Sequence, residues 1–182
     1  MKCGGWIAFG CWLTALMGGV GFLSAHQFTP GQSGTVPPHL SEPEPGARET
    51  KRPRLMMFVH PHCPCSPVSL RNFAKVIAGT GAEAVIYVTA ENLAETPNGR
   101  VARVCAAELR ADSDGAIAKR FGAMTSGHVL LYAADGRLVF EGGITDGRGH
   151  EGDNPGLRAV TARLSGTEDE PVSFPVFGCP LN

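Results

Sequence analysis

An α/β three-layer domain, a central mixed sheet flanked by helices, preceded by an N-terminal transmembrane helix, is the fold this sequence predicts. Three observations carry that prediction. Short apolar runs alternate with stretches of helical spacing. An Asp-Gly turn joins two apolar runs late in the chain. The first 25 residues are apolar enough to leave water.

Residues 3–25, CGGWIAFGCWLTALMGGVGFLSA, hold no charged side chain, and a helix of that length crosses a bilayer. Lys2 precedes the run, which favours a cytoplasmic N-terminus and a translocated body. The expected placement is therefore single-pass, with the soluble domain on the non-cytoplasmic, periplasmic side. A cleaved signal peptide ending near Leu23-Ser24-Ala25 is the competing reading. Either sends the remainder to a compartment where disulfides persist. Residues 26–53 are rich in Pro, Gly and charge, and are expected to form an extended, flexible linker with His39 solvated.

Residues 54–182 form the expected domain. Leu55-Met56-Met57-Phe58-Val59 is a continuous apolar run, as in a central strand buried on both faces. From Ser66 to Gly79 the apolar residues Val68, Leu70, Phe73, Val76 and Ile77 fall at helical spacing, with Ser66 as N-cap, Pro67 in the first turn and glycine at the stop. Ala84-Val85-Ile86-Tyr87-Val88 is a second buried strand. Residues 89–110 give no clear period, although Asn98-Gly99 marks a turn. A short helix over 112–122 follows, then a hairpin of 129–132 and 137–140 around Asp135-Gly136. A last helix spans 157–164, and the tail PVSFPVFGCPLN reads as a packed extended segment.

The chemistry concentrates at 60–66, His60-Pro61-His62-Cys63-Pro64-Cys65-Ser66, where the first strand ends and a helix begins. Backbone N–H groups and the positive helix end favour a thiolate there. His60 and His62 can add positive charge or hydrogen bonds. One residue separates Cys63 from Cys65, so a disulfide between them closes a small strained ring, easily reduced. The two thiols need not pair with each other. Cys179 can fold back as a resolving thiol or pair with Cys105, which otherwise packs in the core. The rival chemistry is metal binding, with Cys63, Cys65, His60 and His62 as ligands for copper, ahead of zinc. Two small buried hydrophobes at a strand end is the bland reading.

The order of elements, with cysteines on the turn after the first core strand, resembles the thioredoxin-like superfamily over about residues 54–164. Three segments, at 60–66, 120–156 and 176–181, resemble the bacterial membrane-anchored proteins called RedB-like. The superfamily resemblance implies thiol–disulfide exchange with protein thiols and disulfides, without a cofactor. Thioredoxins carry C-x-x-C; here Pro64-Cys65 matches its second half and His62 falls where the first Cys would be, leaving Cys63 displaced. Where they place a cis-Pro, this chain has Ser126-Gly127-His128. Gly127 allows close backbone approach, and the resemblance brings His128 near the cysteines. His62 and His128 are then the expected modulators of Cys63, Cys65 and Cys179.

The glycine-rich segment 142–154 is expected as a polar, sharply bent loop whose Arg148, Glu151 and Asp153 satisfy one another, or as a lining of the active site. It is no phosphate loop, having no Gly-Lys-Ser/Thr element. With a net charge of −1, scattered Arg and 7% aromatics, nothing points to nucleic acid. The functional readings are a membrane-tethered thiol–disulfide oxidoreductase, a copper-binding or copper-delivery domain, and a redox-inactive interaction module.

Overall fold

Residues 3–40, 51–168 and 170–181 are described by the structure, a computed structural model of the chain. Helix α1 (Cys3–Phe28) is 26 residues long, about 39 Å at 1.5 Å per residue, against about 30 Å for a bilayer core. Residues 5–26 are exposed along it. By length and composition Gly5–Phe28 is apolar enough to cross a membrane.

The domain is built on a six-stranded sheet of β1 (Arg54–Val59), β2 (Glu83–Val88), β3 (Glu108–Ala111), β4 (His128–Tyr132), β5 (Leu138–Gly142) and β6 (Val172–Ser173), in the order β3-β2-β1-β4-β5-β6. β1 pairs parallel with β2 and antiparallel with β4, so all six of its residues are buried. That position accounts for the unbroken apolar run in its sequence. Crossovers place α2 (Ser66–Ile77) and α3 (Pro97–Ala102) after β1 and β2, α4 (Ala116–Arg120) before β4, and α5 (Pro155–Leu164) after β5. The fold is thioredoxin-like: a mixed central sheet with helices on both faces and an antiparallel hairpin, β4–β5, turning at Gly136 with φ +84°.

The region that gave no periodic signal contains α3 and the edge strand β3. Glu108 and Arg110 of β3 pair with each other on its solvent side, and only β2 flanks it, so no apolar run is needed. The helix expected over 112–122 is shorter, because Asp112 accepts from the N–H groups of Ile117 and Ala118 and Gly115, at φ +67°, turns the chain in. β6 was not foreseen as a strand. It adds parallel to β5 through only two residue pairs.

Two apolar layers hold the sheet. Leu55, Met57, Val59, Leu131 and Phe140 pack with Leu70 and Phe73 of α2 and Val160 of α5. Met56, Phe58, Val85, Tyr87, Leu130 and Tyr132 pack on the other face with Ala118 and Phe121. The helix on that second face has only five residues, too few to cover it.

Part of the expected flexible linker completes the cover, which corrects the sequence reading for 29–40. Val36 and Leu40 pack against the second layer. Gly31 donates to Val176 O, Gly34 to Gly122 O and Leu40 to Gly136 O, while Leu138 donates to Pro38 O. Gly31 is required where it lies, since a Cβ there would meet Thr125 Oγ1 at 2.3 Å, and a Cβ on Gly34 would crowd Gly122 Cα at 3.1 Å. Residues 41–50 of the linker lie outside the described residues.

Candidate active site

β1 ends at Val59, and the next residues turn at the C-terminal end of this central strand into α2. His60 N–H donates to Ser126 Oγ at 2.8 Å, Cys63 N–H to His60 O at 3.3 Å and Ser66 N–H to Cys63 O at 3.3 Å. The α2 N-cap is Cys65, not Ser66. Ser66 is freed for another bond: its hydroxyl lies 2.7 Å from that of Ser126, both buried. Asn98, at the start of α3, pins the turn from beside it. Its side-chain amide donates to His60 O at 2.9 Å and Cys63 O at 2.8 Å, and its N–H to Pro61 O at 3.2 Å.

The C-terminal tail supplies the third side of the site. Thr125 and Pro180 form an antiparallel bridge. Ser126 N–H donates to Cys179 O at 2.8 Å, and Leu181 N–H to Met124 O at 3.0 Å. Gly178 is what lets the two backbones approach, since a Cβ there would lie 2.0 Å from Ser126 O. This pairing lays Cys179 on Cys63, within hydrogen-bond reach. Cys63 is thereby covered, while Cys65 and Cys179 are partly exposed.

Burial alone would push the Cys63 thiol up. The Ser66 hydroxyl, the Cys179 thiol and the backbone N–H groups of Cys179 and Cys65 all donate to its sulfur, and together they outweigh burial and bring its pKa down from 9.0 to about 7. A thiolate is therefore about half populated at pH 7, against about 1% at the ordinary value. Cys179 moves the other way, to about 12, because it is desolvated, donates to Cys63 and faces the charges of Cys63 and Cys65. Cys65 is raised by burial and then by the Cys63 charge. The arrangement sets one readily ionised thiol beside two that ionise less readily than usual.

Arg148 offsets both rises electrostatically. It does not pair with Glu151 or Asp153, as the sequence had led us to expect. Glu151 pairs with Arg71 at 2.8 Å, and Asp153 with Arg158 at 2.5 Å. Arg148 instead donates to Gly178 O, to His26 O at 3.2 Å and to Thr29 O at 3.5 Å. The loop thus lines the site through one guanidinium.

The histidines are placed differently from expectation. His60 Nδ1 accepts from His62 N–H at 3.2 Å, and burial followed by the proximity of His62 lowers its pKa. His60 lines a cavity of about 240 Å³ with Thr89, Asp114 and Lys119 that contains none of the cysteines. His62 is exposed. His128 does not join the cysteines. It stands opposite Phe58 in the β1–β4 register, on the face carrying Met56 and Leu130, because Gly127 N–H takes the bond to Phe58 O and strand alternation turns the next side chain under the sheet. There it is 1% exposed, with neither ring nitrogen bonded, and burial depresses its pKa to about 4. Among the described residues, no hydrogen bond joins a histidine ring to a cysteine. Gly127 has a trans peptide and φ +91°, and a Cβ there would sit 3.1 Å from Ser69 Oγ of α2.

Cys105 packs in the core as expected, its thiol donating to Leu70 O at 3.7 Å, and it does not meet Cys179. Among the described residues, no group of three or more His, Cys, Asp and Glu side chains has the spacing of a metal site. Asn98, Ser126 and Arg148 are the site residues that sequence reasoning did not assign.

No family model and no curated protein sequence matches the chain. Among solved structures it is similar to a hypothetical protein from Sinorhizobium meliloti, with 23% identity, a TM-score of 0.57, and 85% of this chain and 96% of that one covered. It is also similar to an uncharacterized conserved protein from Geobacillus kaustophilus, with 17% identity, a TM-score of 0.56, and coverage of 85% and 92%. A secreted disulfide oxidoreductase from Mycobacterium tuberculosis aligns at 16% identity and a TM-score of 0.49, over 64% and 83% of the two chains. The first two likenesses are likenesses of fold.

Proposed function

We propose that the chain is a membrane-tethered thiol–disulfide oxidoreductase whose working couple is Cys63 and Cys179. The observation that carries this reading is the strand-like pairing of the tail with residues 124–126, which sets a protonated thiol against a stabilised thiolate. In the oxidised form the two sulfurs are joined. A partner thiolate attacks the more accessible Cys179 sulfur, and the S–S bond breaks with its electron pair leaving on Cys63. Departure is fast because Cys63 is the more acidic thiol. A second partner thiol then attacks the mixed disulfide. The partner leaves as a disulfide, and Cys179 retains the released proton. Two electrons and one proton have passed to the protein, and Cys63 is left as the thiolate. The reverse sequence reduces a partner disulfide.

The low pKa of Cys63 stabilises the reduced form and favours the oxidising direction. Cys65 is the neighbouring thiol able to exchange with Cys63 when the tail is displaced. The RedB-like resemblance and the periplasmic placement fit this reading, with α1 as anchor and Lys2 on the cytoplasmic side.

The test uses the full chain in detergent, because Val36 and Leu40 pack against the core and a domain cut to residues 54–182 would lose them. Free thiols are counted with and without reductant, and oxidation of a soluble dithiol peptide is followed. A reversible two-electron couple lost in both Cys63→Ser and Cys179→Ser supports the reading. Copper(I) bound stoichiometrically by Cys63, Cys65, His60 and His62, blocking thiol labelling, would replace it with metal delivery. Unreactive thiols without metal would leave an interaction module.

A further inference from the structure

Helix α1 and the cysteines are separated by very little structure. The apolar run 3–25 has the length of a bilayer core, which puts His26 and Gln27 at the membrane surface. At that point Arg148 takes over the end of the helix. Its Nε donates to His26 O, its backbone N–H to Gln27 O and its Nη2 to Thr29 O. These carbonyls belong to the last turn and the residue beyond it, where a cation is favoured. Phe28 docks beside them, its ring against Gly147 and edge-on to His150 at 6.1 Å. The same guanidinium donates through Nη1 to Gly178 O. Cys179 is the next residue, and it lies on Cys63.

One side chain therefore spans from the helix exit to the redox centre. The segment after α1 adds no slack, since Gly31, Gly34 and Leu40 are all hydrogen-bonded to the domain. A flexible tether would let the domain sweep a volume of solvent. This one ties the site close to the end of α1 through hydrogen bonds.

Resting on the reading of Cys63 and Cys179 as a redox couple and of α1 as a membrane span, we propose that the site exchanges disulfides with a protein of the same membrane, whose thiols lie at the bilayer surface. Arg148 is the positioning residue that sets this height. The exchange is the one given above: two partner thiols become one disulfide as the Cys63–Cys179 bond becomes the Cys63 thiolate and the Cys179 thiol, with one proton released.

The full chain, oxidised and reconstituted in phosphatidylcholine vesicles containing phosphatidylglycerol, tests this. The probes are one dithiol peptide in three forms: soluble, joined directly to a transmembrane anchor, and joined to that anchor through a rigid helical spacer of about 20 residues, or about 30 Å. The surface-level peptide is expected to be oxidised at least about tenfold faster than the raised one, since only its thiols share the height of the site. Arg148→Gln, checked for an intact fold by circular dichroism, is expected to reduce that ratio toward one. Equal rates for the two anchored peptides, or an unchanged ratio in Arg148→Gln, would overturn the inference while leaving the redox reading intact. Failure to oxidise even the soluble peptide in detergent would overturn the redox reading itself.

Discussion

Replacing Ser66 by Ala removes the donor that lowers the Cys63 pKa most while keeping a good helix former in the first turn of α2. A hydrogen bond to a charged acceptor is worth about 1.5–3 kcal/mol, or about 1–2 pKa units at 1.36 kcal/mol each. Losing the donor favours the thiol, so the Cys63 midpoint should rise from about 7 to about 8–9. At pH 7 the thiolate fraction falls about 5- to 50-fold, but a more basic thiolate is about 3- to 8-fold more nucleophilic, leaving a net loss of about 2- to 6-fold. At pH 10 the sign reverses and the variant reacts faster. The assay is iodoacetamide labelling of Cys63 against pH, read by peptide mass spectrometry in a Cys65→Ser background. Opening of the tail scales both curves alike and leaves each midpoint in place. Ser69→Ala, a buried serine of the same helix, is the control. A Ser66→Ala midpoint within about 0.3 units of its parent, or curves that never cross, would refute the assignment of Ser66 as the main donor.

Asn98→Ala leaves the carbonyls of His60 and Cys63 without their amide donor and should lower stability in urea by about 2–3 kcal/mol. His128 has its pKa lowered in the fold, from 6.5 to about 4, so the unfolded chain binds more protons between those values. Its contribution is fully present above pH 6.5 and is lost as pH falls through about 4, a decline of about 3 kcal/mol. His128→Phe should abolish that decline in urea titrations at pH 4 and 7. Gly178→Ala forces a Cβ against Ser126 O and should displace the tail. The Cys63–Cys179 disulfide recovered from a glutathione buffer should then fall by about tenfold or more, through lost effective concentration.

The sheet was legible where burial on both faces leaves a continuous apolar run, as in β1 and β2, and where Asp135-Gly136 sets a hairpin. The cysteine motif and the returning Cys179 were legible because thiols are scarce and their chemistry is local. Asn98, Ser126 and Arg148 were not, since each works through a contact made 30 or more residues away. Two of the three act on backbone carbonyls, which carry no residue signature, and Ser126 bonds one of the chain's many hydroxyls. The linker read as mobile from its proline and glycine. Its docking depends on the second face of the sheet being under-covered, a property of the assembled fold. The resemblance to thioredoxins put His128 near the cysteines, but strand alternation turns it to the face of Met56 and Leu130.

The pairing of Cys63 with Cys179 tests the account most directly. The full chain, oxidised in detergent, trapped with acid and digested, is predicted to yield a disulfide-linked peptide pair joining residue 63 to residue 179, with Cys65 recovered as a free thiol. A Cys63–Cys65 loop disulfide as the main oxidised species, or no disulfide at any of the three, would contradict it.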